Sequence, residues 1–93
     1  MSQYVTYGYS MLQIQYAEPA LKNLRQIGRV AAKRVVAKIE SYARNPQALS
    51  NQVKMLKGSP YLRLRAGDYR VIFTRDGVVM SIIKVGHRAK IYE

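Results

Sequence analysis

The sequence predicts an α+β domain, an antiparallel sheet with a helical hairpin packed on one face, in the order β-α-α-β-β-β. Three observations carry that prediction: one stretch of period-two alternation near the N-terminus, two consecutive helical patterns parted by a glycine, and a later set of alternating stretches separated by turn dipeptides. The 93 residues fit one domain, not two. With 48% apolar residues a core is feasible, although a chain of this size buries only about 60–65% of its unfolded surface.

The first element is MLQIQY, in which Leu12, Ile14 and Tyr16 alternate with Met11, Gln13 and Gln15 as in a half-buried strand. Residues 1–10 carry three tyrosines, no charge and no period. They are read as an extension and a candidate for disorder, Met11 as a possible second start, and 11–93 as the single domain. Glu18-Pro19 then opens a short helix, since proline suits the first turn, and Leu21, Leu24 and Ile27 recur at three-residue spacing until Gly28. From Arg29 a second helix presents Ala31, Val35, Ile39, Tyr42 and Ala43 on one face, with Arg29, Lys33 and Arg44 largely elsewhere. Asn45-Pro46 ends it, because the residue before proline disfavours helical geometry.

Gln47 to Lys57 reads as a polar connection, and Gly58-Ser59-Pro60 as a turn. Tyr61 to Arg65 alternates leucines inward with Tyr61, Arg63 and Arg65 outward. Ala66-Gly67-Asp68 turns the chain into a strand from Tyr69 to Thr74, and Asp76-Gly77 is a hairpin signal leading into Val78 to Val85. These three strands are expected to form a meander, leaving the face opposite the helices for function.

Charge narrows the function classes. Sixteen Lys and Arg against five Asp and Glu give a net charge of +11, which favours a polyanionic partner, nucleic acid first. The plainer alternative is a solvated basic surface, or one complementary to an acidic protein. Without cysteine there is no disulfide scaffold, thiolate metal site or thiol nucleophile, and the single histidine argues against a zinc site. No stretch approaches the ~18 apolar residues of a membrane span. The opening residues lack the basic head and apolar block of a signal peptide, so a cytoplasmic protein is expected.

Arg63, Arg65, Arg70 and Arg88 bring four guanidiniums from a short stretch of chain. Their planar donor forks match phosphate oxygens and keep their charge at any working pH. His87 has the unperturbed pKa of ~6.5 that suits proton transfer near neutrality. Tyr92 offers a ring for base stacking. Each has an ordinary reading too: charged residues are common on exposed strand faces, and lone histidines and terminal tyrosines are often structural. With only five acids, and no glycine-rich phosphate loop, a two-carboxylate magnesium site does not fit, and no metal or cofactor is expected. RNA permits metal-independent cleavage because its own 2′-hydroxyl can attack the adjacent phosphate.

The run Lys57 to Phe73, with Arg63-Leu64-Arg65 and Gly67-Asp68-Tyr69-Arg70, followed by Val85-Gly86-His87-Arg88 and Ile91-Tyr92, resembles the RelE signature of the RelE/ParE toxin superfamily. The likeness runs from about Met11 to Glu93. It implies a small twisted antiparallel β-sheet packed against an N-terminal helical hairpin. It also implies the toxin of a type II toxin–antitoxin system, an endoribonuclease (mRNA interferase) that enters the ribosome and cuts translated mRNA by 2′-hydroxyl attack. In that reading Arg63 lies near the scissile phosphate and Arg70 stabilises the transition state. Arg88 binds phosphate or assists the leaving group, and Tyr92 stacks on the base. Lys54, Lys57, Tyr61, Arg65 and Lys90 are the further RNA-binding candidates. Tyr61 stands where some RelE members carry a lysine proposed as general base, which leaves His87, Lys54 and Lys57 as alternatives for that role. The implied partners are a RelB-like cognate antitoxin with an acidic or amphipathic C-terminal segment, the ribosome with its mRNA, and operator DNA only through the antitoxin complex, with no membrane. The rival within the superfamily is a ParE-like inhibitor of DNA gyrase without nuclease activity. Arg70, His87, Arg88 and Tyr92 speak against it, because ParE-like chains tend to lose the matching set.

Overall fold

The structure, a computed structural model, describes residues 11–91. The expected N-terminal extension and Tyr92 lie outside them. Strand β1 (Gln13–Tyr16) leads into helices α1 (Glu18–Ile27) and α2 (Arg29–Arg44). A 3-10 helix (Pro46–Gln52) follows, then strands β2 (Val53–Met55), β3 (Leu62–Ala66), β4 (Tyr69–Arg75) and β5 (Val79–His87). Two helices against one sheet is the α+β class expected.

Local chemistry accounts for the boundaries. Glu18 and Pro19 occupy the first turn of α1, where a carboxylate faces the positive end of the helix and the missing N–H of proline is not needed. Gly28, at φ 93°, ends α1 and begins α2 in one residue, a conformation that side chains with a Cβ resist. Its carbonyl accepts the Ala32 amide at 2.9 Å. Val35, Ile39, Tyr42 and Ala43 form the buried stripe of α2 as their spacing predicts. In α1 the inward positions are Ala20 and Leu24, with Ile27 packed beside the core.

The sheet has the order β1-β5-β4-β3-β2. The β2 to β5 segment is an antiparallel meander, whereas β1 lies parallel to β5, with Gln13 opposite Val79 and Tyr16 opposite Ile82. The sheet is therefore mixed at one edge. The stretch expected as a polar connection also contains structure, the 3-10 helix and β2. Beyond Tyr16, β1 no longer covers β5, and the Asn23 side-chain oxygen accepts the Val85 N–H at 3.0 Å, replacing the missing ladder bond.

The helices cover one face. Leu12, Ile14, Leu64, Val71, Phe73, Met80, Ile82 and Val85 meet Ala20, Leu24, Val35 and Ile39 in a single core. The Tyr42 ring packs edge-on against Phe73 at 5.3 Å between centroids. At the β4–β5 hairpin, the Asp76 Oδ1 accepts the N–H groups of Val78 and Val79, both at 2.7 Å. Those bonds, Val79 first and then Val78, hold its carboxyl pKa below the ordinary aspartate value.

Candidate nucleic-acid interface

Strand pairing lines up the side chains of the uncovered face. Lys54 is opposite Arg63, Arg63 opposite Ile72, and Ile72 opposite Lys84, one row across four strands. In the next row Arg65 is opposite Arg70, which is opposite Gly86. Directly opposed residues of a ladder share a face, and adjacent strands are about 4.8 Å apart. Lys54, Arg63, Arg65, Arg70 and Lys84 are thus neighbours on one surface. No Asp or Glu occurs in any of the five strands, so no carboxylate within the sheet offsets these cations.

Arg63 and Arg70 are half-buried and Arg65 is exposed. Arg70 donates from Nη1 to the carbonyls of Gly67 and Tyr69, each at 2.9 Å, which fixes its guanidinium beside the β3–β4 turn. Gly67, at φ 62°, makes that turn possible. Ile72 is 7% exposed although it belongs to this outer face and not to the helix-side core. Ile91, 3% exposed, also lies outside that core. The cations surround a small apolar patch.

The other candidates are dispersed around this surface. Tyr61 precedes β3 in phase with Arg63 and is 38% exposed. Lys57 is exposed between β2 and β3, and Lys90 is exposed in the turn after β5. Arg88 sits at the rim, its N–H donating to the Asp68 carbonyl at 2.8 Å and its Nε 3.8 Å from the Asp68 carboxylate. Both side chains of that pair are well exposed, so it contributes little to stability.

His87 is turned the other way. It is opposite Tyr69 in the ladder, in register with Ala66, on the helix-side face, and its ring meets the Tyr69 ring edge-on at 5.7 Å. Its Nδ1 accepts the Ala89 N–H at 3.1 Å, leaving Nε2 as the protonated nitrogen of the neutral ring. The structure therefore brings Lys54, Arg63, Arg65 and Arg70 together and does not bring His87 to them. It adds Lys84, which sequence reasoning missed. A break in register between Ile72 and Phe73 makes Phe73 face Ile82 while Ile72 faces Lys84. The intervening Ile83 is a bulge residue, and it moves Lys84 off the face of Ile82. Only the crowded Ile82-Ile83-Lys84 run hints at this.

A cavity of about 550 Å³ lies away from this surface, between the start of α2 and the β3–β4 turn, with Arg29, Val30, Arg34 and Tyr69 among its walls. On the arginine face Lys54, Arg65 and Lys84 are exposed, which suits an extended polyanion. Among the described residues no helix is long and apolar enough to cross a membrane.

Two helices packed against one sheet is also the fold of solved toxin structures. The RelB–RelE antitoxin–toxin complex from Methanococcus jannaschii aligns at TM-score 0.64 with 28% identity, over 84% of this chain and 94% of that chain. The intact Escherichia coli RelBE toxin–antitoxin complex aligns at 0.61 with 26% identity, over 83% and 95%. The RelBE2 complex from Mycobacterium tuberculosis aligns at 0.71, over 86% and 100%, its 20% identity showing likeness of fold alone. Fold and sequence together define the class, a toxin of a type II toxin–antitoxin system in the RelE/ParE superfamily. Residues 14–92 match the family model described as "ParE toxin of type II toxin-antitoxin system, parDE", and the chain belongs to that family. No curated protein matches the sequence.

Proposed function

We propose that this toxin is a metal-independent endoribonuclease that cuts translated mRNA on the ribosome, in the cytoplasm, and so arrests translation and growth. The observation that carries the reading is the outer face of β2 to β5, where Lys54, Arg63, Arg65, Arg70 and Lys84 converge without a carboxylate in any strand. The 2′-hydroxyl of one nucleotide attacks the adjacent phosphorus, the bond to the 5′-oxygen of the next nucleotide breaks, and a cyclic phosphate is left. The protein supplies orientation and charge neutralisation as negative charge builds on the phosphate oxygens. Arg63 and Arg70 hold the scissile phosphate, Arg88 at the rim meets the leaving oxygen, and Arg65, Lys57, Tyr61 and Lys90 guide the flanking strand. Lys54, opposite Arg63 in the ladder, adds a cation beside that phosphate, and the 2′-hydroxyl proton passes to water. His87, turned toward Tyr69, serves the fold of the rim. Tyr92 stacks on a base.

The partner in this reading is a RelB-like antitoxin whose acidic or amphipathic segment covers part of the basic surface. RelE chains held in complex with RelB among the structural neighbours support it. Operator DNA is reached through that complex.

Primer extension on mRNA from cells briefly expressing the wild-type chain, beside Arg70→Ala and Tyr92→Ala chains at equal levels, tests the proposal. Cuts confined to translated frames and lost in both variants are expected. The family description names ParE, and that observation favours the rival, gyrase inhibition. Growth arrest with intact message would overturn the ribonuclease reading and direct the next assay to gyrase supercoiling.

A further inference from the structure

The end of β5 is fastened to the arginine face by an arrangement that the cleavage chemistry does not by itself require. After His87 the chain turns back on itself, the N–H groups of Lys90 and Ile91 both donating to the His87 carbonyl at 2.9 Å. This turn lays Ile91 onto Gly86, so closely that a Cβ on Gly86 would stand 2.7 Å from the Ile91 Cδ1. Lys84 then donates from Nζ to the Ile91 carbonyl at 3.0 Å. Lys84 and Gly86 belong to the same outer face, in the rows of Arg63 and Arg70 respectively.

Three features coincide at Ile91: a side chain 3% exposed, a backbone carbonyl held by a lysine, and an approach to Gly86 so close that a Cβ there would make the Ile91 Cδ1 shift. Gly86 has no positive φ, so its small size is used for this contact and not for a turn. The Arg88 N–H is anchored on the Asp68 carbonyl at 2.8 Å, but the Arg88–Asp68 side-chain pair is too exposed to set the direction of the guanidinium.

We propose that Lys84 and Gly86 are positioning residues, pinning the turn 88–91 against the arginine face so that Arg88 stands at the rim in the place the reaction needs. The role of Arg88 rests on the ribonuclease reading; the pin itself does not. Lys84 acts through a backbone carbonyl and is not assigned to the reacting phosphate. Replacing its ammonium removes the pin while the core beneath stays intact.

The experiment uses the full chain as wild type, Lys84→Met, Lys84→Arg and Gly86→Ala, with two readouts. Hydrogen exchange at the Lys90 and Ile91 amides reports the pin. Single-turnover cleavage of mRNA on programmed ribosomes separates binding from rate. In Lys84→Met and Gly86→Ala both amides exchange faster, with thermal unfolding of the domain little changed. The cleavage rate at saturating toxin falls by up to about 10²-fold in both, the scale of an ångström-sized misplacement, while half-saturation moves far less in Gly86→Ala, which removes no cation. Lys84→Arg, which retains a cationic donor, recovers both readouts. Unchanged exchange in Lys84→Met and Gly86→Ala overturns the pin, and faster exchange with wild-type cleavage rates overturns its positioning role. If the wild type itself cuts nothing, the ribonuclease reading and the role of Arg88 fall together, and the exchange data alone decide whether the pin exists.

Discussion

Arg65 and Arg70 stand directly opposite each other in the β3–β4 ladder, two cations in a cross-strand position where like charges oppose folding. Arg70 turns its Nη1 to the carbonyls of Gly67 and Tyr69, while Arg65 remains exposed. A fold selected only for stability would place an opposite charge or a β-branched residue at one of these positions.

Arg65→Thr should therefore raise the free energy of unfolding by about 0.2–1 kcal/mol, by removing the repulsion and adding strand propensity. The same change should weaken RNA binding. Urea denaturation and RNA titration on one preparation check the two effects together, and their opposite signs mark the position as kept for binding.

Salt dependence distinguishes the two faces of the sheet. Each phosphate contact removed from the outer face should lower the slope of log K against log salt for single-stranded RNA by roughly 0.7. Lys54→Ala and Arg65→Ala should each show that change. His87→Ala should leave the slope unaltered, because its ring lies against Tyr69 on the opposite face. Fluorescence titrations across a range of KCl concentrations measure all three.

The Asp76 carboxyl should make the hairpin sensitive to acid. Its folded pKa lies below the ordinary 3.8, because the N–H groups of Val79 and Val78 donate to the charged form. A carboxyl depressed in the folded state stabilises the fold above its unfolded pKa, and the contribution disappears as pH falls through the folded value. Wild type should therefore be more stable than Asp76→Asn at neutral pH, with the difference closing below pH 3.8. Thermal unfolding of both proteins from pH 7 to pH 2 follows it.

Two turn glycines should respond differently to alanine. Gly67, at φ 62°, should lose about 1–2 kcal/mol as Gly67→Ala, since the left-handed region penalises a Cβ. Gly77 has no positive φ and no atom within 4 Å of a built Cβ, so Gly77→Ala should change stability little. Chemical denaturation of the two variants makes the comparison.

Where side-chain period and turn chemistry agree, the fold was legible from the sequence. Leu62 and Leu64 against Arg63 and Arg65, Gly28 between two helical stripes, and Asp76-Gly77 before an apolar run each have a local cause. What was hidden depends on distant or irregular pairing. β2 is three residues long and centred on an exposed lysine, so its strand character comes from Arg63 opposite Lys54. The parallel pairing of β1 with β5 joins segments whose own patterns do not name a partner. Lys84 reaches the arginine face through a bulge that breaks strict alternation. His87 shares the parity of Val85 and hence its face; the nearby Arg88 and the family motif drew attention to its chemistry before its direction.

That β1–β5 pairing also sets a timetable for synthesis. Gln15 and Ser81, which meet through a side-chain hydrogen bond at 3.4 Å, are 66 positions apart. When β1 and both helices have left the ribosome, the strand that will lie beside β1 has yet to be made. Helices form in isolation only weakly, and contacts this distant in sequence delay folding further. A nascent chain halted before β5 has neither a partner for β1 nor a floor for Ile91. Interrupted translation thus yields an unassembled fragment, open to proteolysis, in place of a working toxin.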